Sequence, residues 1–485
     1  MRKPYERQRT LGSIGIDKVE LDATSRHELV AVLRALQYIY SKPRLLNRVL
    51  ELIEGDVLGG RRWDRGAEGL TYWEVLVLAA VRHGCHLDYD ALHDLANNHR
   101  DLRQIMGIGP LEEARKYKYR RIHENVRKVR PSTIEAISGL VVEAGHKLVP
   151  WAIEAVRADT FVTQTNIHYP SDESLIADGV RKLWGIGNAL SKEQGVDGWR
   201  NYRYWQKKVK KIARRIQKTR RGRESTRAEQ QRGEYRELLA IAAEVLQRAG
   251  ELVRHISSAE VMSMSGVIEL EYYMDKTAYV CGLAKRRVLE GEQIPNKEKI
   301  FSIFEPHTEL IKRGKQPDIL EFGHRVYTVE DRAGFVVDFA VLDKGVTDEK
   351  VGVERMQALQ ERMGNRIERA SFDRGFWKPE SLKELEKIMT VVCLPKKGYL
   401  RQEDRERESR AEFVKMRQWH PGIESGIHAL MVTSGLDRCP DKGYEGYERY
   451  VALGVLGKNL RVLGSILLKR DRKRLRKLKK WKKAS

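Results

Sequence analysis

At residue 154 the pattern of the chain changes, and that change constrains the fold more than any other feature. Up to about residue 150 the apolar residues recur at three/four spacing, the signature of amphipathic helices. The run Glu154-Ala-Val-Arg-Ala-Asp159-Thr-Phe-Val-Thr-Gln-Thr is instead short, β-branched and aromatic, and reads as a strand. An acid stands in the middle of it. Asp is depleted in strands, and burying a charge costs several kcal/mol unless it is paired or binds a metal.

Around this strand the order of elements can be read in outline. His27 to Ile39, Leu45 to Ile53, Tyr72 to Arg82, Asp90 to Asn97 and Pro131 to Ala144 are predicted helices. Two of the short pieces, from Tyr89 and from Leu102, fit a helix-turn-helix and fit a plain bundle equally well. A helix is expected after Tyr169-Pro170, capped by Ser171 or Asp172, and the helical pattern continues to about Lys299. Phe322 to Val329 and Gly334 to Leu342 form a predicted hairpin about Glu330-Asp-Arg-Ala. There follow a helix at Asp348 to Met363, a strand ending at Asp373, a helix opened by Pro379 and a strand from Met389. Residues 396–412 read as a charged loop, and helices are expected at Ile423 to Thr433 and Tyr447 to Leu468. The layout is mixed α/β. The expected divisions are a helical domain at 1–150, a catalytic domain at 151–173 and 300–468, a helical basic insertion at 174–299, and a basic tail at 469–485.

With 91 Lys and Arg against 68 Asp and Glu, the 485 residues carry a formal charge of +23. A charge of that size points to a polyanion, nucleic acid first. It is concentrated in two places. Arg200 to Arg223 holds no acid and includes Lys207, Lys208, Lys210, Lys211, Arg214 and Arg215, behind Trp199, Tyr202, Tyr204 and Trp205. Lys469 to Lys483 has eleven basic residues and one acid, Asp471. Both suit phosphate contact with counterion release; the tail equally suits a solvated end. A hydrophobic share of 41% excludes a wholly disordered chain. The best membrane candidate, Tyr450 to Leu468, is broken by Lys458, Asn459 and Arg461, and the basic N-terminus has no apolar core behind it. The four cysteines lie far apart, as expected of free thiols in a reducing cytoplasm. The GxxxxGK[ST] phosphate loop is absent.

Two further acids join Asp159. Asp373 stands at a strand end before Arg374-Gly375, and Glu424 falls in the first turn of the helix opened by Pro421-Gly422. Each also has a bland explanation, turn or cap chemistry for the aspartates and the helix dipole for the glutamate. His428, one turn beyond Glu424, is read as a non-ligand. Acids from strand, strand end and helix suit phosphoryl transfer on DNA, because hard divalent cations take oxygen ligands.

These stretches resemble bacterial insertion-sequence transposases of the DDE type. The matching pieces are Arg157-Ala-Asp159 through Asp172, Gly314-Lys315 to Gly323, Ser371-Phe-Asp373-Arg-Gly-Phe, Ile423-Glu424 to Gly443, and Gly457-Lys-Asn-Leu460. The resemblance implies a ribonuclease-H-like mixed sheet flanked by helices, with an all-α N-terminal domain and a helical insertion. It implies a catalytic and metal-binding triad of Asp159, Asp373 and Glu424 holding Mg²⁺ or Mn²⁺, two ions in all. It also implies double-stranded DNA as partner, both terminal inverted repeats and target, with a homodimer or higher multimer assembled on it, in the bacterial cytoplasm and without a membrane. Some relatives grip DNA ends through Tyr, Arg and Lys around the glutamate. Here Arg417, His420 and Met431 occupy those positions, a departure that argues against hairpin-forming, flipped-base chemistry. Arg438 and Lys442 are the substitute phosphate contacts, and Asn459 is a further candidate near the site. The rival readings are a structure-specific nuclease of the same fold and a DNA-binding protein without catalysis.

Overall fold

A computed structural model describes residues 3–5, 14–60, 62, 64, 69–112, 114–219, 224–257, 264–312 and 320–484. The pieces Arg220, Arg221, Arg223 and 314–319, singled out above, lie outside the described residues. The chain divides into two units, 1–165 with 323–485, and 166–322.

The first unit begins with helices α1 (Glu28–Tyr40), α2 (Pro43–Leu58), α3 (Tyr72–Gly84), α4 (Tyr89–Asn98), α5 (Arg100–Ile105), α6 (Tyr119–Val126) and α7 (Pro131–His146). Local chemistry sets their ends. Thr71 and Glu74 form a reciprocal capping box on α3, and Pro stands in the first turn of α2 and α7. His99 closes α4 and caps α5, so two short helices meet at one residue.

Strand β1 (Ala155–Thr165) follows. The second unit then contributes α8 (Asp172–Gln194), α9 (Tyr202–Thr219), α10 (Glu224–Ser257), α11 (Met264–Ala284) and β2 (Glu309–Lys312). Its core is built on buried Trp184, Trp199 and Tyr235. Ser171 caps α8, as the sequence indicates.

The return to the first unit brings β3 (Leu320–Asp331), β4 (Val336–Val341), α12 (Asp348–Arg362), β5 (Arg369–Phe372), α13 (Pro379–Ile388), β6 (Val391–Cys393), α14 (Gln402–Ser409), α15 (Ala411–Trp419), α16 (Gly422–His428), β7 (Arg438–Cys439) and α17 (Tyr444–Ala484). The sheet is mixed and open. It has seven strands in the order β2-β3-β1-β5-β6, with β4 also paired to β3 and β7 to β1; β4, β3 and β1 are antiparallel, and β1, β5 and β6 parallel. The β3–β4 turn is held by Asp331, whose Oδ1 accepts from Ala333 and Phe335 N–H while Oδ2 meets buried His146 Nε2 at 2.8 Å.

Three expectations need correction. The helices before residue 150 do not close a core of their own: Val32, Leu36, Leu76 and Ala80 share one apolar cluster with Tyr327, Phe372, Leu456 and Leu460. Residues 402–419 form α14 and α15 rather than a loop. Helix α14 is charged all round and held by ion pairs such as Lys396–Asp404, so it carries no apolar period to read. Helix α17 runs unbroken into the basic tail, and Asp471 accepts from Arg34 Nε at 2.8 Å.

By length and hydropathy α17 could cross a membrane, despite its interruptions, yet 78% of its most apolar window is buried in the fold. It packs along α1, α3 and α7. Two glycines permit the crossings: a Cβ on Gly457 would meet the backbone of His83 and Gly84, and one on Gly464 the carbonyl of Ala31. Asn459 is buried and belongs to this packing, not to a site. Its Oδ1 accepts from Val336 N–H and its Nδ2 donates to Val336 O and Ser138 Oγ, which ties α17 to β4 and α7.

Candidate active site

Strand β1 has one edge covered and the other partly open. Its pairing with β3 runs from Val156 to Gln164. On the opposite edge β5 covers Ala155–Ala158 and β7 covers only Gln164–Thr165. Among the described residues no strand pairs with 159–163 on that edge, and Asp159 is the first of these.

The β1–β5 register pairs Arg157 with Ser371 and Ala158 with Phe372. The ladder ends there, and Asp159 and Asp373 are the residues that follow its last pair on each strand. The shared face can be identified. Arg157 and Ser371 are each two residues from an aspartate, and side chains alternate along a strand. Arg157 Nη1 donates to Trp419 O at 3.1 Å, and Ser371 Oγ lies 3.1 Å from His420 Nδ1. Asp159 and Asp373 therefore stand on the face covered by the end of α15 and by α16. Each carboxylate presently accepts from the next backbone N–H, Thr160 and Arg374, both at 2.7 Å.

Glu424 lies in the first turn of α16 and is exposed. Gly422 and Gly426 bear on the sheet, because a Cβ on either would collide with Arg157 or with Glu330 and Lys458. At 100° per residue, Glu424 sits about 200° round from Gly422 and is turned from that contact. It remains within electrostatic range of His420, as does Asp373. Burial holds the His420 imidazole below its ordinary value, against the opposing pull of the two acids. His420 Nδ1 faces Ser371 Oγ, so the ring is held toward β5 rather than out into solvent. Among the described residues no three acid, imidazole or thiol groups are drawn close enough to hold a metal ion.

Asp348, at the start of α12, is an acid the sequence reading missed. Thr160, next to Asp159 on β1, bonds its side chain, and the charge of Asp373 reaches it. Arg325 Nη1 donates to it at 3.0 Å. Burial pushes its carboxyl up, with Arg325 opposing. An acid at the start of a helix looks like dipole chemistry, so nothing in the local sequence separates this one from others.

The remaining candidates are dispersed. Arg417 is exposed and 3.8 Å from Glu408. Arg438 donates to Gln164 Oε1 at 3.1 Å, five strand residues from Asp159, or about 17 Å. Lys442 lines a separate cavity of about 630 Å³ with Arg82, Tyr89 and Asp441. In the second unit, Val209, Ile212, Ala213 and Ile216 of α9 face inward, while Lys207, Lys210, Lys211 and Arg214 are exposed. Arg215 is not free for phosphate, being paired with Glu234 at 2.7 Å and with Glu237. Lys208 lies over the Trp205 ring, and Trp199 is buried against Trp184.

Comparisons with family models, with curated proteins and with solved structures return no match.

Proposed function

We propose that the chain is a DNA transposase of the DDE type with a ribonuclease-H-like catalytic unit. The observation that supports this reading is the β1–β5 ladder, whose last pair, Ala158–Phe372, is followed on each strand by an aspartate, Asp159 and Asp373. The strand order supports it: three antiparallel strands, then two parallel ones, with α12 and α13 in the crossovers.

The reading assigns the implied cation to three acids. Asp159, Asp373 and Glu424 offer only carboxylate oxygen, the ligand that Mg²⁺ and Mn²⁺ prefer. When bound there, a divalent pair supplies charge stabilisation to the attacking and leaving oxygens of an in-line displacement. The chain's own part is positioning. Each aspartate follows the last paired residue of its strand, and Glu424 stands in the first turn of α16. The exposed cations of α9 hold the DNA backbone. Joining two element ends in one event calls for two such sites, hence a homodimer or larger assembly on DNA.

The test is a duplex carrying the element's terminal repeat, incubated with the protein and Mg²⁺ beside a target plasmid. Nicking at the repeat end and covalently joined end–target products are expected. Nicking without joining would favour the nuclease reading, and binding without either would favour a non-catalytic DNA-binding protein.

A further inference from the structure

The cavity of about 630 Å³ that Lys442 lines has no part in the proposed chemistry. It lies within the first unit, walled by α3, α4, α6 and the segment between β7 and α17. Small-molecule sites occupy roughly 300–1,000 Å³, so there is room for one here. The walls are aromatic. Tyr89 and His123 meet edge to face with ring centres 4.6 Å apart, and the Tyr119 ring lies within 10° of parallel to His123. Tyr119 is 42% exposed, a large ring left in water at a cavity wall. Unmet polar atoms accompany the rings. Tyr89 Oη, Arg82 Nε and Asp441 Oδ2 are buried and have no hydrogen-bond partner among the described residues. Such atoms are few in native proteins, and each costs free energy until it is paired. Three of them on residues of one cavity call for a ligand that carries both donors and acceptors.

Cations stand at the rim. Residues 115–130 contain eight Lys or Arg and one acid, Glu124, a second basic run, interleaved with Tyr117 and Tyr119. Arg127 of this run and Lys442 are exposed and line the cavity. Of the acids on the wall, Asp441 pairs with Arg82 and Asp88 accepts from Ala91 N–H, which leaves the charge of Asp90 to set against those of Arg127 and Lys442. Rings beside exposed cations are the combination that holds single-stranded nucleic acid: the ring stacks a base and the cation takes a phosphate. A base stacked inside a duplex cannot enter a pocket, whereas an unpaired one can. We infer that this cavity binds a nucleoside monophosphate unit, supplied as an unpaired nucleotide of a DNA strand. The base lies against the Tyr119 and His123 rings and the phosphate meets Arg127 and Lys442. The site shares no residue with Asp159, Asp373 and Glu424 and requires no metal, so it stands apart from the proposed cleavage.

The test uses the full-length protein without divalent cation. Its probe is a duplex ending in a short single-stranded tail that carries a fluorescent purine analogue quenched by stacking, beside the blunt duplex of the same length. Base–aromatic stacking predicts tighter binding of the tailed duplex by about five- to a hundredfold, with quenching of the analogue. Tyr119→Ala should bring the ratio of the two affinities to one and abolish the quenching. Arg127→Gln should lower the ratio and its dependence on salt. Both side chains are exposed, so neither substitution threatens the fold. Tyr399→Ala, at a tyrosine 80% exposed elsewhere in the first unit, is the control and should keep the ratio. The free monophosphate of the same analogue separates the two sources of the ligand. Quenching of it that depends on Tyr119 assigns the site to free nucleotides as well, and quenching confined to the tailed strand assigns it to DNA alone. Equal affinity for tailed and blunt duplexes with neither probe quenched, or a preference that survives both Tyr119→Ala and Arg127→Gln, would overturn the site and leave the transposase reading untouched.

Discussion

Asp373 shows how one residue can satisfy two descriptions. Its Oδ1 caps the short turn Arg374–Phe376, which is what an aspartate before Arg-Gly would do in any protein. It also follows the last β5 residue paired with β1, as Asp159 follows that residue's partner, which a cap does not require. Asp373→Asn separates the two. A cation ligand predicts loss of nicking by several powers of ten with duplex binding kept or tightened, since one negative charge facing the phosphates is gone. A mere cap predicts a stability loss of about 1 kcal/mol and near-normal nicking. A gel shift beside a nicking assay on the same duplex reads both. His83 carries a different prediction. It is buried between α3 and α17, with Arg82 Nη1 at 2.9 Å from its Nε2 and Tyr450 edge-on. Burial, with the Arg82 charge adding to it, holds its imidazole well below the ordinary value. The unfolded chain therefore binds a proton near pH 6.5 that the native protein refuses. Stability from this group is complete above pH 6.5 and falls as the pH drops below it, by about 1.4 kcal/mol per pH unit. Urea midpoints at pH 7 and pH 5.5 should differ less in His83→Gln than in wild type.

At the scale of elements, α9 was legible because its charge and its apolar period coincide. Lys207, Lys210, Lys211 and Arg214 fall on one side and Val209, Ile212 and Ile216 on the other. The sequence could not show that Arg215 is spent on Glu234 and Glu237 of α10, because that pairing depends on how two helices meet. Replacing Lys207, Lys210, Lys211 and Arg214 by Gln should weaken binding to all duplexes alike. It should also reduce the slope of log affinity against log salt by about 0.9 for each phosphate no longer neutralised. The same substitution at Arg215 should leave the slope unchanged. Fluorescence anisotropy across a salt series on repeat and unrelated duplexes distinguishes them. Helix α14 marks the opposite limit. With polar residues all round, it is held by polar contacts such as the Lys396–Asp404 pair and Glu408 accepting from Lys396 N–H.

For the whole molecule, residues 166–322 enter and leave at neighbouring points. Gln164 and Gly323 are partners across the antiparallel pair β1–β3. The first unit has an apolar cluster of its own that runs from α1 through the sheet to α17. Replacing 166–322 with a short Asn-Gly turn should therefore leave a protein that folds cooperatively, with β1 and β3 as a plain hairpin. It should lose most of its non-specific duplex affinity along with α9. Thermal unfolding by circular dichroism, followed by a gel shift, checks both halves. A product that unfolds without a cooperative transition would show that the second unit is needed for the first to fold.

Much of this architecture is local and so was open to reading. Apolar spacing marks α1 to α4 and α7, Pro and Ser171 mark helix starts, and the turn at Glu330–Ala333 marks the hairpin, because each depends on residues a few positions apart. The strand character of 154–165, with Asp159 inside it, was legible for the same reason. What adjoins what could not be read. The pairing of β1 with β5, the approach of Asp348 through Thr160, and the ion pairs of Glu330 with Arg157 and Lys458 each join residues distant in sequence. Their partners are chosen by strand register and helix packing, which minimise buried unpaired charge over the whole fold rather than within any one segment. The same holds for the helices before residue 150. Their amphipathic faces announce a buried side, and only the tertiary structure supplies α17 and the sheet as the surfaces that bury it.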